Sequence, residues 1–241
     1  EESVQVVHHG VDSAAFAPRP EEDEQETRAL ETLKLPRRFF LFIGSDYAHK
    51  NVQLLLSAYA TFRGRLGSTQ ERPGLVLVGH PSGTRHSLFP KLRQQALVGV
   101  HYLGGVSHEV LRALYHRATA FVYLSAYEGF GLPLLEAMAA GTPVLCSRFS
   151  SIPEVVGEAS LFVDDMHDSA IADQLLALTV DSSLRARLRA AGLERVKHFT
   201  WKRTALATFE AYQRVAQSPS ARSFVEREWL GHLVHRPLLL P

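Results

Sequence analysis

The sequence predicts an α/β protein built on a Rossmann-like, doubly wound, mostly parallel sheet. Three observations carry this expectation: short continuous apolar runs, one-sided helical spacings between them, and a glycine directly after the first two runs. The first run is Phe39-Phe40-Leu41-Phe42-Ile43 before Gly44, and the second is Leu75-Val76-Leu77-Val78 before Gly79. Ala120-Phe121-Val122-Tyr123-Leu124 and Pro143-Val144-Leu145-Cys146 repeat the pattern, and weaker strands fit Val100 to Leu103 and Leu161 to Val163. Unbroken runs of this length suit strands buried on both faces.

Helical patterns fill the gaps. Leu54, Leu55, Ala58, Tyr59 and Phe62 share one helical face, and Val110, Leu111, Leu114, Tyr115 and Ala118 share another behind an N-cap at Ser107. Pro133 suits a first helical position and Gly141 a C-terminal cap, so a short helix is expected from about Pro133 to Ala140. After Asp168 the strand signals stop. Helices are expected over Ile171 to Val180, Leu184 to Val196 and Trp201 to Val215, with Asp168, Asp181 and Thr200 as N-caps. The acidic run Glu21-Glu22-Asp23-Glu24 reads as a solvated linker or as a helix's first turn. Residues 217–241 carry Phe224, Val225, Trp229, Leu230, Leu233 and Val234 at roughly helical spacing. That apolar face suits packing on a part of the protein outside this chain, with a membrane-surface helix as the alternative.

Composition bounds the function. The 241 residues are 46% hydrophobic and 21% charged, which excludes a disordered or fibrous chain. Lys and Arg number 26 against 25 Asp and Glu, so no global field favours nucleic acid, and any anion site must be local. Cys146 is the single cysteine, which excludes an internal disulfide and fits a reducing, cytoplasmic compartment. Cys146 and Ser125 read as structural residues, not nucleophiles, and His80, His86, His101, His108 and His116 as surface or loop histidines. No apolar run approaches the roughly 20 residues of a membrane-spanning helix, which leaves peripheral membrane association as the only kind in view. The chain opens Glu1-Glu2-Ser3, consistent with a fragment of a longer protein.

In an open α/β sheet, ligands bind beyond the carboxyl ends of the strands. The loop after Leu124 runs Ser125-Ala126-Tyr127-Glu128-Gly129-Phe130-Gly131-Leu132-Pro133, placing two glycines just before a helix N-terminus. Backbone amides and the helix dipole then form a cradle for an anionic or polar group. Glu128 stands at its lip and Glu136 one turn into the helix, with its Cα–Cβ bond tilted back toward the same cleft. Two carboxylates would repel a phosphate but accept hydrogen bonds from a polyol such as a ribose or a hexose. Their spacing alone is equally compatible with a turn cap at Glu128 and a dipole contact at Glu136.

The stretch from Glu128 to Glu136 resembles the E-x7-E motif of the retaining glycosyltransferases of family 4, also called group 1, which have the GT-B architecture. Other pieces fall in that family's order. Gly44-Ser45-Asp46-Tyr47-Ala48-His49-Lys50-Asn51 is similar to its Gly…Lys-Asn loop, and Leu103-Gly104-Gly105-Val106-Ser107 to its Gly-x-Val loop. Glu136 to Val144 is similar to its E-A-M-A-x-G-x-P-V run, and Ser151 to Gly157 and Phe199-Thr200-Trp201 to later signatures. The match extends from about Val6 to Val215.

The resemblance implies a donor-binding half: residues 1–17 as interdomain segment, 18–216 as the Rossmann-like domain and 217–241 as a C-terminal helix or tail. It implies Lys50 on the donor diphosphate and Glu128 on hydroxyls of the transferred sugar, beside the amides of Gly129, Phe130, Gly131 and Leu132. Glu136 would hold the ribose, Gly44 and Ser45 would border the diphosphate, and Gly104, Gly105 and Val106 would pass the nucleobase. Lys50 and the helix N-terminus would stabilise the leaving nucleoside diphosphate without a metal cofactor; Asp164-Asp165 reads as a loop. The implied reaction moves a hexose from a nucleotide sugar to a saccharide or lipid-linked acceptor with retained configuration, as in polysaccharide biosynthesis. Two departures stand out: Ser45 replaces a frequent Arg, and His9 replaces Asn in the N-G-V-D segment, which leaves His49 or Arg148 as the candidates for a second cation on the diphosphate. An N-terminal domain carrying the acceptor site is expected outside this chain, which alone should bind donor weakly and transfer little. A catalytically silent nucleotide-binding module and a GT-B phosphorylase or epimerase are the competing readings.

Overall fold

Six strands pair side by side in the order β3-β2-β1-β4-β5-β6, all parallel. They are β1 (Phe39–Ile43), β2 (Gly74–Val78), β3 (Val100–Gly104), β4 (Ala120–Tyr123), β5 (Val144–Ser147) and β6 (Leu161–Val163). This geometry comes from a computed structural model that describes residues 4–18, 24–67, 72–95 and 97–217. The expected apolar runs are the strands, and the two weak ones, β3 and β6, take the edges, where burial is less complete.

The register explains why those runs lack polar alternation. Phe39, Leu41, Val76, Val78, Phe121, Tyr123, Val144 and Cys146 fill one core cluster. Their chain neighbours Phe40, Phe42, Leu75, Leu77, Ala120, Val122 and Leu145 fill the other. A strand side chain points to opposite faces at successive residues, so helices on both sides demand apolar residues at every position. Each fully buried Phe or Leu contributes about 2 kcal/mol relative to exposure.

The helices are α1 (Glu24–Glu31), α2 (Val52–Arg65), α3 (Phe89–Gln94), α4 (His108–Arg117), α5 (Leu132–Ala139) and α6 (Ile152–Val156). α7 (Asp168–Val180), α8 (Ser182–Arg195) and α9 (Trp201–Gln217) follow. α2 and α7 cover one face through Leu55, Ala58, Phe62, Ile171, Leu175 and Leu178. α4, α5 and α6 cover the other through Leu114, Tyr115, Leu134, Leu135, Ala137 and Val155. Ser107 caps α4 by accepting from the Val110 amide, and Asp181 caps α8 by accepting from the Leu184 amide.

Three local expectations are corrected. Asp168 is not the cap of α7 but its first residue; the His167 ring accepts the Ala170 amide instead, an acceptor role that a neutral imidazole nitrogen can fill. α5 starts at Leu132, one residue before Pro133, with Gly131 as its left-handed N-cap. His116 is no surface histidine: its side chain is buried, with Nδ1 2.7 Å from Glu26 Oε1 and Nε2 3.0 Å from the Phe16 carbonyl. It thereby fixes α1 on α4, and the end of the acidic run is helical from Glu24.

The chain divides into two units. Val11–Thr200 holds the sheet, α1 to α8 and both cores. The other joins Glu1–Gly10 with Trp201–Pro241; in it Thr204 on α9 donates to the His8 carbonyl at 2.8 Å. α9 exposes Trp201, Leu206, Phe209, Tyr212 and Val215. The apolar segment expected after Ser218-Pro219 lies outside the described residues. Among the described residues no helix is long and apolar enough to cross a membrane.

Candidate active site

The strand order reverses direction between β1 and β4, so the loops leaving their carboxyl ends diverge and open a crevice. The β1 loop enters a 3-10 turn at Ala48–Lys50, and Asn51 follows in the left-handed conformation with φ 54°. Two hydrogen bonds pin this loop to the end of β4. Asn51 Nδ2 donates to the Leu124 carbonyl at 2.8 Å, and the Ala126 amide donates to the His49 carbonyl at 2.7 Å. Lys50 is thereby delivered to Glu128, and their side chains form a salt bridge with both groups largely buried.

Tyr123, at the end of β4, forms the floor of this pair. Lys50 Nζ lies 3.3 Å from its hydroxyl and 5.1 Å from its ring centroid. Burial and the Glu128 carboxylate push the Tyr123 phenol far above its ordinary range, so it stays a neutral donor or acceptor. Burial alone would raise the Glu128 carboxyl, but the Lys50 ammonium, together with the nearby Ser125 and Tyr123 hydroxyls, outweighs it and leaves Glu128 lowered and ionised. Ser125 is fully buried, close enough to affect both groups, yet its hydroxyl makes no hydrogen bond of ordinary geometry to a described residue.

The loop carrying Glu128 is held from below: Ser150 and Ser151 donate to the Glu128 carbonyl at 2.8 and 3.0 Å, and Ser151 also to the Phe130 carbonyl at 3.1 Å. Phe130 turns its ring edgewise toward Phe199, 6.0 Å between centroids, leaving the backbone of 129–132 to border the crevice. Gly131 has φ 103°, which an L side chain rarely tolerates, and Leu132 opens α5 half exposed. A Cβ on Gly129 would meet nothing within 4 Å, so this position borders open space. Glu136 sits on the following turn, half buried, and accepts from the Tyr115 hydroxyl at 2.9 Å. Burial raises the Glu136 carboxyl, with Tyr115 and the charge of His108 opposing that rise. Glu136 also acts electrostatically on the Tyr123 phenol, more weakly than Glu128 does.

The other expected site residues lie on the same carboxyl edge of the sheet. Gly44 is beside Lys50: a Cβ there would stand 4.0 Å from the lysine Cε. Ser45 is half buried in the same loop. Gly104 ends β3, two strands away from β1, and Gly105 and Val106 follow it. Added Cβ atoms at the two glycines would strike the Arg93 guanidinium at 2.8 Å and the His80 ring at 2.5 Å, while Val106 packs on the core. Arg148 pairs with Asp164 in the bend after β6 and covers the Phe162 ring at 3.8 Å. Exposed His49 stacks on Tyr47. Cys146 is fully buried, its thiol pushed up to about 12 by that burial, which suits a core residue.

Sequence reasoning missed the two tyrosines, reading Tyr123 and Tyr115 only as apolar residues of a strand and a helix face. A cavity of about 700 Å3 also opens beside the site, lined by Asp46, Tyr47, His49, Gln53, Thr84 and His86. It excludes Lys50, Glu128 and Glu136, and its one acid is consumed. Asp46 accepts from the amides of Ser82, Leu88 and Phe89 and from the Ser87 hydroxyl. Among the described residues no cluster of His, Cys, Asp and Glu could hold a metal ion.

Residues 23–195 match the family described as glycosyl transferases group 1. The chain is 39% identical over 176 residues to O-antigen chain mannosyltransferase B of Escherichia coli, covering 73% of this chain and 45% of that protein. It is 33% identical over 224 residues to a D-inositol 3-phosphate glycosyltransferase of Nocardioides, covering 88% and 48%. The chain thus spans about half the length of these relatives. Among solved structures, sucrose-phosphate synthase of Thermosynechococcus elongatus superposes with a TM-score of 0.72 at 27% identity over 89% of this chain and 53% of its own. The C-terminal domain of a group 1 glycosyl transferase from Francisella tularensis gives 0.63 at 24% identity, covering 78% of this chain and 97% of that domain. With a family match across most of the sheet-bearing unit, the chain belongs to the group 1 glycosyltransferases.

Proposed function

We propose that this chain is the donor-binding half of a retaining glycosyltransferase that moves a hexose from a nucleoside diphosphate sugar to a saccharide or lipid-linked acceptor. The observation that carries the reading is the meeting of Lys50 and Glu128 at the N-terminal end of α5, with Glu136 one turn further on. Breaking the anomeric bond leaves extra negative charge on the departing nucleoside diphosphate, and catalysis gains most by stabilising it. The Lys50 ammonium and the backbone amides of Gly129 to Leu132, leading into α5, supply that stabilisation, so the reading assigns no metal.

Glu128, ionised and anchored by Lys50, accepts hydrogen bonds from hydroxyls of the sugar. Glu136 accepts from the nucleotide ribose, and the loop at Gly104, Gly105 and Val106 borders the base. Gly44 and Ser45 flank the diphosphate beside Lys50. The acceptor site lies in a further domain, as the half-length coverage of the relatives suggests. The name of the Escherichia coli relative makes a mannosyl donor the first to test.

The test is incubation of the full-length protein with labelled nucleotide sugars, mannosyl, glucosyl, galactosyl and N-acetylhexosaminyl, and saccharide acceptors. Free nucleotide together with a glycosylated acceptor supports the proposal. Sugar phosphate would indicate phosphorolysis instead, and binding without turnover of any donor would indicate a silent nucleotide module.

A further inference from the structure

Tyr115 is a polar-tipped side chain behind the site that the proposed mechanism leaves without a role. It lies on α4, fully buried, with its ring edgewise against Phe16 at 5.8 Å and Phe121 at 5.5 Å. Its backbone is anchored as well, because the Tyr115 carbonyl accepts from the Thr142 hydroxyl at 2.7 Å. The ring therefore has one position, and its hydroxyl has one proton to give. Two acceptors are within reach: Glu136 Oε2 at 2.9 Å and the Pro133 carbonyl at 3.3 Å. A carboxylate is the stronger acceptor and is here the nearer one.

A glutamate's last torsion is broad, so an unheld Glu136 would present either oxygen over a wide arc. The fixed phenol takes Oε2. Among the described residues the other oxygen, Oε1, accepts no hydrogen bond. We infer that Tyr115 is a positioning residue for nucleotide recognition, holding Glu136 by one oxygen so that the other meets a ribose hydroxyl. This rests on the reading of Glu136 given above. The same hydrogen bond opposes the rise that burial imposes on the Glu136 carboxyl. A buried tyrosine that merely satisfied its own hydroxyl could have used the Pro133 carbonyl alone.

The experiment measures affinity of the full-length protein for GDP and UDP, each beside its 2′-deoxy counterpart, in the wild type, Tyr115→Phe and Glu136→Gln. The wild type is expected to favour the ribonucleotide, and Glu136→Gln to lose that preference. Tyr115→Phe should weaken the ribonucleotide roughly tenfold and leave the 2′-deoxy nucleotide within about twofold. A purely structural role would weaken both alike or neither, and either result with Glu136→Gln behaving as expected overturns this inference alone. A wild type indifferent to the 2′-hydroxyl, or a Glu136→Gln variant that keeps the preference, overturns the role of Glu136 and this inference with it. Should Tyr115→Phe fail to fold, a structure of the wild type with bound nucleotide decides. Oε2 still on Tyr115 and Oε1 on the ribose supports the inference; a carboxylate that has left Tyr115 overturns it.

Discussion

Asn51 Nδ2 donates to the carbonyl of Leu124 at 2.8 Å although 73 positions separate the two residues. That bond ties the loop after β1 to the end of β4 across the switch point, one residue from Lys50 and four from Glu128. Asn51 also holds φ 54°, a conformation asparagine tolerates better than most residues. Replacement by glycine keeps the backbone and removes the bond, and should cost about 1 kcal/mol in urea denaturation. Asn51→Ala adds the left-handed strain and should cost about 2 kcal/mol. Equal losses in the two variants would mean that backbone strain plays no part.

Lys50 and Glu128 should separate by ligand. Lys50→Met removes the ammonium and strands a largely buried carboxylate, with roughly 3 kcal/mol of stability lost. Affinity for the bare nucleoside diphosphate should fall by at least about tenfold. Glu128→Ala should instead reduce the extra affinity contributed by the sugar, measured as nucleotide sugar against nucleotide by calorimetry. Equal weakening of both ligands by Glu128→Ala would reassign its role.

Asp46 makes a pH prediction. Burial opposes its ionisation, but hydrogen bonds from Ser87, Phe89 and Ser82 outweigh that and bring its carboxyl from 3.8 down to about 2. A lowered acid lends stability above its unfolded value and loses it as pH falls through its folded value. The contribution is therefore intact above pH 3.8 and disappears toward about pH 2. Asp46→Asn, with a single acceptor oxygen for four donors, should cost about 2 kcal/mol at pH 7 and less at pH 2 to 3. Denaturation midpoints of the two proteins should converge in acid; a constant gap would refute the assignment.

Two glycines should respond oppositely to alanine. A Cβ on Gly79 would lie 1.9 Å from the Gly44 carbonyl oxygen, backbone against backbone, at φ 142°. Gly79→Ala should cost more than about 3 kcal/mol or prevent soluble expression. Gly129→Ala meets open space and should change stability by less than about 1 kcal/mol. It should nonetheless weaken donor binding, because the methyl enters the space that the proposed donor fills. A Gly129→Ala protein that binds every nucleotide sugar as the wild type does would move the donor elsewhere.

Sequence by itself determined the strands, the principal helices, and the local frame around Glu128 and Glu136. Those features are set by neighbours a few residues apart: apolar runs needed on both sheet faces, a proline and a glycine bracketing α5, and a spacing that puts two acids on one helix entrance. Tertiary structure alone decided which distant groups meet those acids. Lys50 reaches Glu128 because β1 and β4 are adjacent in the sheet, a pairing that local periodicity does not encode. Tyr115 read as one more apolar position of α4, since the pattern reports which face is buried and not what a hydroxyl finds there. His116 was misread for the same reason: its burial depends on α1 arriving with Glu26, 90 positions earlier in the chain.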